Sequence, residues 1–452
     1  MTVQEILAYV KQHPSGKVKV AVADIDGVLR GKYIAAEKFA SIVEGRLGFC
    51  DVIFGWDMGD VAYDTVKFTG WHTGYPDALV KLDFSTFRKI PWENDVPFFL
   101  GDFVNENEVP AYTCPRQLLR KVLAETEQNG FFPYFSQEFE WFNFAETPQS
   151  AHDKGFHQLT PLTPGMFGYS ILRSSLRNDY MSELFDLLCR FGIPVEGLHT
   201  ETGPGVYEAA IKYAPVLQAA DQAVLFKTAV REIAYKHGIM ATFMAKFSEN
   251  LPGCSGHVHQ SLWDKEAKKN LFYEAKDPDQ MSELMKSYIA GQLYCLPHIL
   301  PMIAPTVNSY KRLVEGAWAP TTLTWGIDNR TVALRALPGS TKATRLETRI
   351  VGSDTNPYLA LSACLAAGLY GIKHQMKLTQ PATQGNGYQD ISNGVLPHNL
   401  HEATQLMKKS AVAKELFGEQ FTEHFTLTRE WEWKQYAKAV TDWELKRYFE
   451  II

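Results

Sequence analysis

The chain is short of several things that would direct a reading elsewhere. Its six cysteines, Cys50, Cys114, Cys189, Cys254, Cys295 and Cys364, lie far apart and form no CxxC pair. That excludes a thiolate zinc site and a disulfide-stapled scaffold, and it is the usage expected of reduced thiols in a cytoplasmic protein. No apolar run reaches the ~20 residues that a membrane-spanning helix needs. The most apolar stretch, Tyr358 to Ile372, is shorter and is expected to be a buried helix. The N-terminus carries Glu5, Lys11 and His13 within its first turns, unlike a signal peptide. Basic charge is not in excess either, with 45 Lys and Arg against 51 Asp and Glu and a net charge of -6. A nucleic-acid or membrane-surface partner is therefore not expected. Neither GxxxxGK[ST] nor GxGxxG occurs. A Walker-type or Rossmann phosphate cradle is absent, so any nucleotide must be held by metal ions and side chains.

What is present is a large globular chain. Its 452 residues, 45% of them hydrophobic, are too many for one ordinary domain. Val3, Ile6, Leu7 and Val10 recur at helical spacing. Lys17 to Leu29 alternates and turns at Asp26-Gly27, and strand patterns follow at 78–83 and 96–103. These make a small α+β unit. The polar run Asn105-Glu106-Asn107-Glu108 marks its end, giving domains 1–106 and 107–452. Beyond it, Pro115 opens a helix that carries its periodicity over 117–128. Further helices are expected at 215–237, 279–298 and 357–373. The large part reads as α+β, with helices and an antiparallel sheet that is polar on one face.

That polar face is where the chemistry collects. In Gln137-Glu138-Phe139-Glu140-Trp141 the two carboxylates share one strand face and the two aromatics the other. Two adjacent carboxylates repel unless a cation lies between them. Glu196, His199 and Glu201 precede a Gly203-Pro204-Gly205 turn and Glu208. His257 and His259 share a face, as do Arg345, Glu347 and Arg349, with Arg312, Arg330, Arg335 and Lys342 upstream. Carboxylates with a few histidines make an oxygen-rich site that suits Mg²⁺ or Mn²⁺ rather than thiolate-bound zinc. Hard cations beside an arginine cluster are what phosphoryl transfer requires.

Six motifs, in order, then resemble those of the glutamine synthetase family. They are Glu138-Phe139-Glu140, Glu201 through Glu208, His257-Val258-His259-Gln260-Ser261-Leu262, Asn308-Ser309-Tyr310-Lys311-Arg312-Leu313-Val314, Arg345-Leu346-Glu347-Thr348-Arg349 and Asn356-Pro357-Tyr358-Leu359. The resemblance covers nearly the whole chain. It implies an N-terminal β-grasp domain and a C-terminal catalytic domain. It also implies a homo-oligomer, a dodecamer of two stacked hexamers with active sites between subunits. By position, Glu140, Glu201 and Glu208 match ligands of a first metal, and Glu138, His257 and Glu347 those of a second, within a set of two or three Mg²⁺ or Mn²⁺ ions. Glu196, His259, Ser261, Arg335, Lys342 and Arg345 fall where the family contacts ATP. Gly253, Arg312 and Arg349 match the glutamate contacts, and Arg330 the arginine that neutralises the transferring phosphate. The implied enzyme is an ATP-dependent C–N ligase acting through γ-glutamyl phosphate.

Two departures set the expected substrate. Ammonia-using members carry a glutamate in Arg-Leu-Val-Pro-Gly-Tyr-Glu-Ala-Pro that takes a proton from ammonium. Here the run is Arg312-Leu313-Val314-Glu315-Gly316-Ala317-Trp318-Ala319-Pro320. An indole at Trp318 cannot act as a base, but it can pack on an organic substituent or face an ammonium. The family's Phe-Asp-Gly-Ser-Ser ammonium loop is replaced by Phe54 to Asp64, in which Asp57 and Asp64 are the candidates for recognising the amine. The expectation is an organic amine joined to the γ-carboxylate of glutamate, as in the masking of mono- or polyamines for catabolism. Ammonia-dependent glutamine synthesis and a non-catalytic structural or sensory ring are the alternatives.

Overall fold

A computed structural model of the chain describes residues 1–44, 47–105 and 107–452. The helix Val3–Gln12 opens on a reciprocal cap between Thr2 and Glu5. Five strands follow: β1 (Lys17–Ala23), β2 (Leu29–Ala35), β3 (Leu47–Cys50), β4 (Asp77–Ile90) and β5 (Val96–Val104). Their order is β2-β1-β5-β4-β3. The central β1–β5 pair is parallel and the other pairs antiparallel, a grasp-like sheet. β4 continues well past the strand expected at 78–83, because its register shifts between Asp83 and Arg88 and pairing resumes. Residue 106, where the sequence places the domain boundary, lies outside the described residues.

The larger sheet has nine strands: β6 (Phe131–Phe144), β7 (Val195–Thr200), β8 (Val206–Ile211), β9 (Ala214–Pro215), β10 (Met240–Thr242), β11 (Val258–Asp264), β12 (Trp325–Ile327), β13 (Leu334–Leu337) and β14 (Arg345–Thr348). Its main path runs β12-β13-β14-β11-β6-β8-β7, and β9 and β10 also pair with β6. The pairing is antiparallel as expected, except that β12 and β13 are parallel. Asp328, at φ 47, carries the chain out of the sheet after β12, and β13 enters it again on the same heading.

Alternation along β6 separates two chemistries. Phe139 and Trp141 are fully buried against Phe226 of the helix Val216–Lys236, with ring centroids 5.6 Å away in both contacts. Glu138 and Glu140 are thereby turned to the opposite face. The helix Pro357–Lys373 is buried along nearly its whole length, as its uninterrupted apolar sequence requires. It touches the helix Glu283–Ile299 almost backbone to backbone. A Cβ at Gly371 would lie 2.1 Å from the Ser287 carbonyl oxygen.

Polar side chains tie the first sheet to the helices of the larger part. Arg116, 2% exposed, donates to Asp221, Asp102 and Asp83. Asn356 Nδ2 donates to the carbonyls of Asp24 and Ile25 at 3.2 and 3.1 Å. Among the described residues all six cysteines are free, and no helix is long and apolar enough to cross a membrane.

Candidate active site

Strand register assembles the site. Glu140 on β6 lies opposite Glu208 on β8, and Glu208 lies opposite His199 on β7. A second row runs from Ser136 on β6 through His259 on β11 and Glu347 on β14 to Arg335 on β13. His257 immediately precedes β11, but its carbonyl accepts the Glu138 amide at 2.9 Å, so its side chain joins the same face. Residues up to 123 positions apart in sequence thus become lateral neighbours (Ser136 and His259).

Two clusters of donors result. His199, Glu201 and Glu208 offer ligand atoms within 4.8 Å of one another, and so do Glu138, His259 and Glu347. His257 belongs with the second cluster too, its Nδ1 being 3.4 Å from both Glu138 Oε1 and Glu347 Oε1. The division of labour expected from sequence, His257 to metal and His259 to nucleotide, is therefore not a separation in space. Both imidazoles adjoin the same carboxylates.

The electrostatics are those of a cation site. Burial, then Glu208, Glu347 and Glu140, push the Glu138 carboxyl up to about 8. Burial and Glu208 push Glu140 up to about 7, although the Ser255 amide donates to it at 2.8 Å. Burial holds His257 well below the usual imidazole range and His259 at about 4, so both rings are neutral. Burial opposes ionisation of Glu347, but in the acid range where His257 and His259 take up protons, those rings with Arg349 and Arg335 outweigh it and hold that carboxyl well down. Arg335 Nη1 donates to Glu347 at 2.9 Å, and Arg349 Nη1 also donates to it.

These residues fit a divalent cation on the chemistry of the donors. All are carboxylate oxygens or imidazole nitrogens, and the buried Nε2 atoms of His257 and His259 have no hydrogen-bond partner among the described residues. Hard cations of the Mg²⁺ or Mn²⁺ kind take such sets. Mutual repulsion of the glutamates should weaken the cation-free fold. We expect saturating Mg²⁺ to raise the melting temperature by about 3 °C or more. Glu138→Gln should raise the melting temperature of the cation-free protein and shrink that increment, as scanning calorimetry would show. An unchanged increment would remove Glu138 from the cation site.

Two clefts meet at Glu138. One, of about 400 Å³, is lined by Glu196, His259, Ser261, Lys342 and Arg345, five of the six residues expected at the nucleotide. The sixth, Arg335, is turned to Glu347 and Asp328. The other, of about 420 Å³, gathers Glu140, Glu201, Glu208, His257, Gly253, Arg312, Trp318, Arg330 and Arg349. Arg312 is 3% exposed and donates to the carbonyls of Ile350 and Arg349 at 2.8 and 3.0 Å. Gly253 lies flat on it, since a Cβ there would stand 2.7 Å from Arg312 Cγ and 2.6 Å from the Ala245 oxygen. Trp318 holds the left-handed region at φ 57 and is 62% exposed at the mouth.

Asp57 and Asp64 are not brought to either cleft of their own chain. Asp57 accepts from the Gly59 and Val61 amides and from Trp431 Nε1 at 2.9 Å. Asp64 pairs with Lys434 Nζ at 2.6 Å. Both fasten their loop to the helix Glu419–Lys438.

Several side chains escaped the sequence reading. In the sequence His199 stands only as part of a charged run, yet its Nε2 lies 3.2 Å from Glu208. Tyr169 stacks on His199 with centroids 4.3 Å apart and lines the second cleft beside Trp318. Tyr134, Tyr213 and Trp263 form an aromatic wall of the first cleft, and Tyr134 lies 5.5 Å from each of the other two. The alternation of His199 with Glu201 was a usable signal. Tyr169, in a loop, offered none.

Comparisons with known proteins agree with this geometry. Residues 112–448 match the family model described as glutamine synthetase, catalytic domain. A type-1 glutamine synthetase of Dictyostelium discoideum is 54% identical over 450 residues, covering 99% of this chain and 86% of the relative. A glutamate–isopropylamine ligase of a Pseudomonas species is 38% identical, covering 98% of this chain and 97% of the relative. A solved GmaS–ADP complex superposes with a TM-score of 0.84 at 27% identity, covering 98% of this chain and 99% of the other.

Proposed function

Because the chain belongs to the glutamine synthetase family of ligases, we propose that it joins an organic amine to the γ-carboxylate of glutamate at the expense of ATP. The observation that carries this reading is Trp318. It lines the cleft of Glu140, Glu201 and Glu208 where ammonia-using members place a glutamate. Glu315, the only acid between Leu313 and Pro320, does not line that cleft. With Tyr169, Trp318 offers two aromatic faces to the apolar body of an amine. The 38% identity to a glutamate–isopropylamine ligase supports the same substrate class.

The chain's residues divide the work. His259, Ser261, Lys342 and Arg345 hold ATP in the first cleft, with its γ-phosphate toward Glu138. Arg312 and Arg349 present glutamate from the second. Cations held by the two clusters, when bound, neutralise phosphate oxygens and favour transfer. A γ-carboxylate oxygen attacks the γ-phosphorus and ADP leaves. Arg330 stabilises charge on the transferring group. The amine nitrogen then attacks the acyl carbon, and phosphate leaves carrying the proton the nitrogen loses, which gives a γ-glutamylamide. Phosphorylation is needed because a carboxylate is a poor electrophile.

The test is phosphate release from ATP, Mg²⁺ and glutamate with ammonium, methylamine, ethanolamine, isopropylamine, phenethylamine, aniline, putrescine and spermidine in turn. Strong turnover with one organic amine and little with ammonium is expected. Best turnover with ammonium would establish the rival reading, which the 54% identity to a type-1 glutamine synthetase favours. Gly253→Ala should press on Arg312 and raise KM for glutamate about tenfold, with a smaller effect on kcat. Steady-state kinetics would show it, and an unchanged KM would detach Gly253 from glutamate binding.

A further inference from the structure

Trp318 sits on a segment that does little to hold itself in place. Among the described residues the backbone of 314–318 makes two hydrogen bonds, both local. The Val314 amide donates to the Arg312 carbonyl at 2.8 Å, and the Ala317 amide to the Val314 carbonyl at 3.3 Å. Gly316 and Trp318 both lie in the left-handed region, at φ 78 and 57. That conformation is disfavoured for a bulky side chain and persists only where the surroundings impose it.

The surroundings include a strap, residues 383–396, bonded along residues 321–331. The Thr383 amide donates to the Trp325 carbonyl at 2.8 Å, the Leu323 amide to the Gly394 carbonyl at 3.0 Å, and the Leu396 amide to the Thr321 carbonyl at 2.9 Å. Gly387 is held from both sides. Its amide donates to Thr331 Oγ1 and its carbonyl accepts from Thr322 Oγ1, both at 2.8 Å. A Cβ there would stand 2.7 Å from the Thr331 carbonyl oxygen, so the strap has no room to settle closer. The next residue, Tyr388, is fixed in turn, its amide donating to Asn386 Oδ1 at 3.1 Å. Its phenolic oxygen is buried, yet it has no hydrogen-bond partner among the described residues. The charges of Arg349, Arg312 and Glu315 act on that oxygen, and the Trp318 amide faces it without completing a bond. Arg349, Arg312 and Trp318 all line the substrate cleft. A buried hydroxyl left unbonded is costly, and the Trp318 amide, which donates to no backbone carbonyl, is a donor of the right kind.

We propose that Tyr388 is the positioning residue that sets amine selectivity: when the amine is bound, its hydroxyl accepts from the Trp318 amide and latches the indole over the substrate. This rests on the reading that an organic amine is the second substrate. Tyr388 lines neither cleft and has no contact with the amine to make. It acts through Trp318. The strap is bonded along its length and the 314–318 segment is not, so it is the segment that moves to complete the bond. The space between Trp318 and Tyr169 then takes one width. An amine that fills that width gains the contact of both rings, and ammonium, which has no body to place there, gains nothing.

Tyr388→Phe removes the acceptor and keeps the ring. In the full chain, KM for the best organic amine should rise about fivefold, the loss expected for one neutral hydrogen bond. KM for ATP and for glutamate, and the melting curve, should stay near the parent's. The kcat/KM ratio between that amine and ammonium should fall by about the same factor. In a Trp318→Ala background the same substitution should change neither quantity further, because the latch has nothing left to hold. A parent that uses ammonium best would overturn the amine reading, and this proposal with it. A parent that prefers an organic amine whose KM is unmoved in Tyr388→Phe would overturn the latch alone. So would a fivefold loss that persists in Trp318→Ala. A rise in KM for glutamate as large as that for the amine, or a melting temperature lowered by several degrees, would also overturn it, marking Tyr388 as a support of Arg312 and Arg349 or of the fold.

Discussion

Replacing Arg330 with glutamine is expected to lower kcat for amine-dependent phosphate release about a thousandfold, with much smaller changes in KM for ATP and glutamate. Arg330 lines the cleft that holds Glu138, Glu140 and Trp318, and its guanidinium has no side-chain partner among the described residues. Its neighbours are committed. Arg335 is bound to Glu347 and Asp328, Arg349 to Glu347 and the Arg330 carbonyl, and Arg312 to two carbonyls. Among the described arginines lining that cleft, Arg330 alone has a guanidinium without a protein hydrogen bond, which leaves it able to follow charge as it develops on the transferring phosphoryl group. An interaction made in the transition state alone affects kcat and leaves ground-state binding nearly intact. Arg330→Lys keeps the charge without the planar fork and should fall between the two. Single-turnover phosphate release would measure it. A loss below about tenfold would remove Arg330 from the reaction centre.

Trp318→Glu should change which nitrogen is used. We expect kcat/KM for the best organic amine to fall about a hundredfold and use of ammonium to rise. The indole supplies contact area for an alkyl or aryl body and no acceptor for a proton. A glutamate there supplies the acceptor and removes the contact. The position tolerates the exchange, being 62% exposed and already at φ 57 with a non-glycine residue. The amine panel, run on both proteins, checks it. An unchanged preference would mean that Tyr169 or another wall selects the amine.

The chemistry of the site was legible in the sequence where period and composition were local. Glu138 and Glu140 alternate with Phe139 and Trp141, so the division of β6 into a polar and a buried face needed no structure. The helix at 357–373 was equally plain, because an unbroken apolar run with Asn356-Pro357 at its start has few other uses. The Asp57–Asp64 loop was not legible in this way. Its acids look like an amine-recognising pair in sequence, and within the chain Trp431 and Lys434, 374 and 370 residues away, bind Asp57 and Asp64.

The sequence by itself determined the face that Glu138 shares with Glu140, His257 with His259, and Arg345 with Glu347 and Arg349, and the absence of an acid at Trp318. These depend on residue type and on a strand period of two. Only the tertiary structure decided that His259 stands opposite Glu347, that Glu208 lies between Glu140 and His199, and that Tyr169 stacks on that histidine. It alone placed Lys227, Arg231, Asp354 and Glu432 around one cleft with no ion pair among the described residues. Register between strands is set by the whole packed sheet, and a slip of one residue would turn every donor to the other face. Charge pairing, in turn, is decided by distances of a few ångströms between distant segments, which no local pattern encodes.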